Sequence, residues 1–187
     1  MQTITNPSKR ASHKAAAIFF ERWRFHESVG WYVFLLKSNR DPRLKFPGGT
    51  NKEDRFANET VEETMIREVG EEVSRRIEII EYIKVLEAVF PNHIRHYFLV
   101  DKAFGLPTLH DVTKNSELDE SGNLIEELEG QWYPLEEVLN KKMMIPTQQE
   151  ALEKAIVTMA LVDEQFREDC GDLHVSEVTR QSLEKAK

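Results

Sequence analysis

The 187 residues suit one domain and fall short of two, and with 40% apolar and 31% charged residues the chain has a core's worth of material and is not compositionally disordered. No window approaches the roughly 18 uninterrupted apolar residues of a membrane span; Cys170, the only cysteine, excludes an intrachain disulfide or a cysteine-based zinc site and points to a reducing compartment, with the cytoplasm as default. A formal charge of -8 repels polyanions and disfavours general nucleic-acid binding.

In chain order, residues 1–14 are polar, carry Lys9, Arg10 and Lys14, and read as a solvated N-terminal arm. Residues 15–24 and the near-continuous apolar run 31–37 read as two strands joined by a hairpin, the second covered on both faces. After Leu44-Lys45-Phe46, Pro47-Gly48-Gly49 forms a strong break. From about 58 to 73, Val61, Met65, Val69 and Val73 recur every four positions and predict a helix with one buried stripe. Residues 77–90 and 94–100 read as a strand pair turned at Pro91-Asn92. The polar stretch 102–127 reads as a long loop or lid. Gln131-Trp132-Tyr133 predicts a short strand before a helix over 135–140. A last helix is expected from a capping box at Thr147 and Glu150, with Leu152, Ile156, Met159, Val162 and Phe166 on its apolar face. The remainder, 169–187, reads as a polar tail, so the domain is expected over 15–168.

The chemistry concentrates in the first helix. Glu68, Glu71 and Glu72 fall within about a 100° arc, where like charges cost roughly 0.2–0.5 kcal/mol per pair and the helix dipole disfavours them near the C-terminus. A solvated charged face is one reading of such a run. A hard divalent cation that takes carboxylate oxygens together with water and substrate phosphate is the other. The preceding Pro47-Gly48-Gly49 favours the cation, because glycine lets the main chain approach a metal or phosphate closely.

Together, Pro47-Gly48-Gly49, Glu59 and Arg67-Glu68-Val69-Gly70-Glu71-Glu72 resemble the signature of the Nudix hydrolases, with seven residues between Glu59 and Arg67 as in the family. Trp132-Tyr133-Pro134 followed by Leu135-Glu136-Glu137-Val138 is similar to the family's aromatic strand and short helix, so the resemblance spans roughly residues 15–166. There are two departures. Nine residues separate Gly49 from Glu59 where the family has five, with Arg55 where the glutamate would otherwise stand, and Ser74 replaces the helix-ending glycine.

The resemblance implies an α/β fold, an α/β/α sandwich around a mixed central sheet. It also implies Mg²⁺- or Mn²⁺-dependent attack of water on the diphosphate of a nucleoside diphosphate linked to another group. On that basis Glu68, Glu71, Glu72 and the Gly48 carbonyl are the expected metal ligands. Catalysis is expected from Glu68, Arg67 and Glu126, with Glu59 in support. The general base is a helix glutamate or one on a distant loop, where Glu126 is flanked by Glu127 and Glu129. The implied partner is a small nucleotide-type substrate, with no membrane and with oligomeric state left open. A non-catalytic nucleotide-binding module, or an acidic helix that docks a basic partner, are the competing readings.

Overall fold

The computed structural model describes residues 12–25, 28–51, 58–118, 121–141, 143–169, 173 and 175–185. Lys9, Arg10, Arg55 with most of the inserted loop, and Cys170 lie outside them. The elements are β1 (Ser12–Phe25), β2 (Ser28–Ser38), β3 (Leu44–Lys45), β4 (Gly48–Thr50), α1 (Val61–Glu72), β5 (Glu78–Val89), β6 (His93–Phe104), β7 (Thr113–Leu118), β8 (Leu124–Pro134), α2 (Leu135–Lys141), α3 (Pro146–Val162), α4 (Glu164–Asp169) and α5 (Glu177–Lys185).

The sheet runs β5-β6-β1-β2-β8-β7, with β3 beside β2 and β4 beside β1. It is mixed: β1 pairs in parallel with β6 and antiparallel with β2. Strand alternation along β1 supplies both cores. Ala16, Ile18 and Phe20 join Leu152, Ile156 and Phe166 under the C-terminal helices, while Ala15, Ala17 and Phe19 join Met65 and Val69 under α1. Helices therefore cover both faces, giving the expected α/β/α sandwich.

Several local expectations shift. β1 begins at Ser12, so Lys14 is part of the sheet rather than of a solvated arm, held by parallel pairing with Arg95. The stretch expected as a lid contains β7 and the start of β8. β7 reads Thr-Lys-Asn-Ser-Glu-Leu and stands at the sheet edge, where no apolar alternation is required. The Thr147–Glu150 box does not form, because α3 opens two residues earlier, at Pro146, leaving Ile145 as an N-cap without a side-chain hydrogen bond. Val162 is exposed, and Phe166 is buried from α4, beyond the break at Asp163. In the expected polar tail, α5 is tied to α3 through Thr179 and Ser176, whose hydroxyls donate to Glu153. None of the described helices is long and apolar enough to cross a membrane.

Candidate active site

α1 starts on a capping box: Thr60 accepts from the Glu63 amide at 3.1 Å, and the Glu63 carboxylate accepts from the Thr60 amide at 2.8 Å. This fixes the helix axis so that its last turn faces β4. At that junction the glycines are sterically required. Gly48 has φ 151°, and a Cβ there would stand 2.1 Å from the Ala15 carbonyl oxygen. A Cβ on Gly49 would fall 2.3 Å from the Glu68 carboxyl carbon, so the missing side chain is what makes room for that carboxylate.

The amide of Gly48 donates to Glu72 Oε2 at 2.6 Å. Burial pushes the Glu72 carboxyl up to about 8; the Gly48 hydrogen bond and the Lys45 charge oppose the rise, and Glu68 and Glu126 add to it. Arg67 binds Glu59 at 2.8 Å, Glu68 at 2.9 Å and Glu71 at 3.1 Å. Burial opposes its charge, yet the hydrogen bond it donates to Glu59 and the proximity of Glu68 hold the guanidinium protonated. Burial also works against the Glu59 charge, but hydrogen bonds from Arg67 and Thr64 prevail and keep its carboxyl below the usual range. On the opposite wall, Lys45 pairs with Glu126 at 3.2 Å. Against the effect of burial, hydrogen bonding from Ser38 and the Lys45 charge hold Glu126 ionised.

These groups border one open cleft of about 840 Å³. Five of the sequence-predicted residues line it, namely Gly48, Glu68, Glu71, Glu72 and Glu126, whereas Arg67 and Glu59 stand behind the carboxylates and brace them. Glu126 belongs to β8 rather than to a loop. Glu71 is the outlying carboxylate, about half exposed. Lys45 is the neighbour the sequence does not single out: it lies at the end of a strand, where solvation explains a lysine equally well.

The donor set is all oxygen, as a hard divalent cation prefers. Among the described residues no three acidic, His or Cys side chains already form a ligand group. The hydrogen bonds explain this, since Glu68 and Glu71 lean on Arg67 while Glu72 leans on the Gly48 amide. Two acidic groups that raise the pKa of a third are nonetheless a charge arrangement that fits a cation. Bound among Glu68, Glu72 and the Gly48 carbonyl, it would offset their repulsion and polarise a phosphoryl oxygen.

The NUDIX domain family model matches residues 12–155, more than three quarters of the chain. Among solved structures, a mutT/nudix family protein from Listeria innocua is 18% identical with TM-score 0.55, covering 87% of this chain and 98% of its own. A MutT from work on Aliivibrio salmonicida and Vibrio cholerae is 21% identical with TM-score 0.53, covering 80% and 99%. At such identities the two structures speak for the fold alone. No curated protein matches the sequence. A family model that takes in both the glycine turn and the acidic helix, on a chain whose cleft gathers the signature's carboxylates, makes this protein a member of the Nudix family and a Nudix-type hydrolase of pyrophosphate bonds.

Proposed function

We propose that the chain hydrolyses the diphosphate bond of a nucleoside diphosphate linked to another group, with Mg²⁺ or Mn²⁺ held by Glu68 and Glu72 as principal ligands and by Glu71 and the Gly48 carbonyl in addition. The observation that carries this reading is the convergence of Glu68, Glu72 and the Gly48–Gly49 main chain in one cleft, with Glu72 forced to share it with other acids. The metal supplies a polarised phosphoryl oxygen and a water of lowered pKa. The chain's own residues do the rest. Arg67 positions Glu68 and Glu71 through charge-assisted hydrogen bonds, and Glu59 fixes Arg67 in turn. Glu126, kept ionised by Lys45, accepts the proton released when water attacks phosphorus. The anhydride P–O bond breaks, and the two phosphate esters leave through the open mouth of the cleft.

The test is a panel of diphosphate-linked compounds incubated with Mg²⁺ or Mn²⁺, with the phosphate products followed by phosphorus NMR. Turnover is expected with at least one class, with the metal required. Glu72→Gln is expected to lower kcat by at least about 100-fold with the thermal midpoint retained. Wild-type turnover in Glu72→Gln, or turnover undiminished by chelator, overturns the assignment.

A further inference from the structure

At the α3-side mouth of the cleft two cations stand together, and among the described residues neither has a carboxylate in ion-pair contact. Lys14 on β1 and Arg95 on β6 are directly opposite in the parallel register, and both line the cleft. Among the described residues no Asp or Glu oxygen comes within the 4.0 Å of an ion pair with either side chain. Among the described residues Arg95 meets the Tyr97 hydroxyl at 3.4 Å and the face of Phe90, 5.9 Å from its centroid. From α3 the cleft wall is completed by Gln148, a neutral side chain. Like charges directly opposite in a sheet are destabilising, so the pair lacks the compensation that every cleft-facing acid has.

A second observation points the same way. His93, on the same face of β6 as Arg95, stacks on Phe90 at 4.6 Å, and its Nε2 is buried without a hydrogen-bond partner among the described residues. Burial first, then the nearby Lys14 and Arg95 charges, hold His93 below its usual pKa and so keep it from adding a third charge. The Lys14 ammonium is likewise lowered, by burial and by Arg95. An anion between the two side chains would offset the repulsion of Lys14 and Arg95.

We propose that Lys14 and Arg95 form an anion subsite for a phosphoryl group of the substrate lying outside the diphosphate that is cleaved. The position suits this. Ala16 pairs with Gly48 beside the acidic centre, and Lys14 pairs with Thr50 two residues away, roughly 7 Å along the strand. Lysine and arginine stems span that interval. The inference rests on the diphosphatase reading and narrows its substrate: compounds with a phosphoryl group beyond the scissile pair, such as nucleoside triphosphates or dinucleoside polyphosphates, are preferred over nucleotide sugars with a neutral distal group.

The binding test uses the full chain with EDTA present, where the acidic floor repels polyanions and inorganic tripolyphosphate reports on the basic pair. Calorimetric titration is expected to show a dissociation constant at least tenfold weaker in K14Q/R95Q than in wild type, with the exchanged pair K14R/R95K restoring most of it. The unfolding midpoint of K14Q/R95Q is expected to be no lower than that of wild type, since a repulsion has been removed; should the double variant fail to fold, K14Q alone carries the comparison. In turnover, the kcat/KM ratio of a nucleoside triphosphate over a nucleotide sugar is expected to fall at least tenfold in the variant, through KM. Equal tripolyphosphate affinity in the folded variant and wild type overturns the subsite. Absence of turnover on every substrate would instead overturn the diphosphatase reading and leave the binding result to decide this one.

Discussion

Gly49 carries more of the site's geometry than its lack of a side chain suggests. The Glu68 carboxylate occupies the space where its Cβ would stand, with both oxygens 2.4 Å from that point. Gly49→Ala is therefore expected to push Glu68 off the Arg67 guanidinium and out of register with Glu72. A displacement near 1 Å costs on the order of 100-fold in a positioned reaction, so kcat should fall by about that factor and the Mg²⁺ requirement should rise. Steady-state kinetics across a Mg²⁺ titration checks it; unchanged kinetics would mean that Glu68 has room elsewhere. At this scale the sequence is informative in part. The 100° step of a helix puts Glu68, Glu71 and Glu72 on one arc, but it does not distinguish a buried Glu68 from a half-exposed Glu71. That difference comes from β4, whose approach is set by long-range pairing with β1. Lys14 was hidden for the same reason: a lysine in a polar run acquires a partner only when β6 is laid beside it.

Among elements, α1 was the most legible, because apolar residues recur every four positions while Glu63, Arg67 and Glu71 midway between them break a strand's alternation, and its buried Met65 and Val69 lie on that stripe. β7 was the least legible, being an edge strand whose polar residues need no buried face. α1 also contains a residue that weakens it. Gly70 faces the cleft, and a Cβ there would meet nothing within 4 Å. A glycine inside a helix costs roughly 0.5–1 kcal/mol relative to alanine, less near a frayed end, so Gly70→Ala is expected to raise the unfolding midpoint by about 1–2 °C. Differential scanning calorimetry reads it directly. A lowered midpoint would mean that the helix end needs glycine's backbone freedom rather than merely tolerating it.

For the whole molecule, the acidic cleft ties stability to pH and, on the proposed function, to metal. The Glu72 carboxyl has a folded-state pKa of about 8 against an ordinary 4.5, so folding takes up a proton at this site. Its contribution is fully present below about pH 4.5 and is lost as pH climbs toward 8, where the buried charge is only partly offset by the Gly48 hydrogen bond and the Lys45 charge. Without metal, the part of the unfolding midpoint due to Glu72 should fall between about pH 5.5 and 8.5. A divalent cation requires the ionised form, so its affinity should rise over the same interval by up to about tenfold per pH unit, one proton being displaced. The stabilisation by saturating Mg²⁺ should therefore grow with pH as the metal-free protein weakens. His96 is a second buried titratable group, held below its usual pKa first by burial, and it shares a 2.9 Å hydrogen bond with His13 while Glu87 lies 3.1 Å away. Glu72→Gln separates them, since it leaves the histidines in place and removes the carboxyl. Calorimetric melts with and without Mg²⁺ at about pH 5.5, 7 and 8.5 should show opposite slopes in wild type, and in the variant no Mg²⁺ stabilisation and a flatter metal-free profile. Matching profiles in the two proteins would mean that Glu72 is already ionised in the metal-free fold.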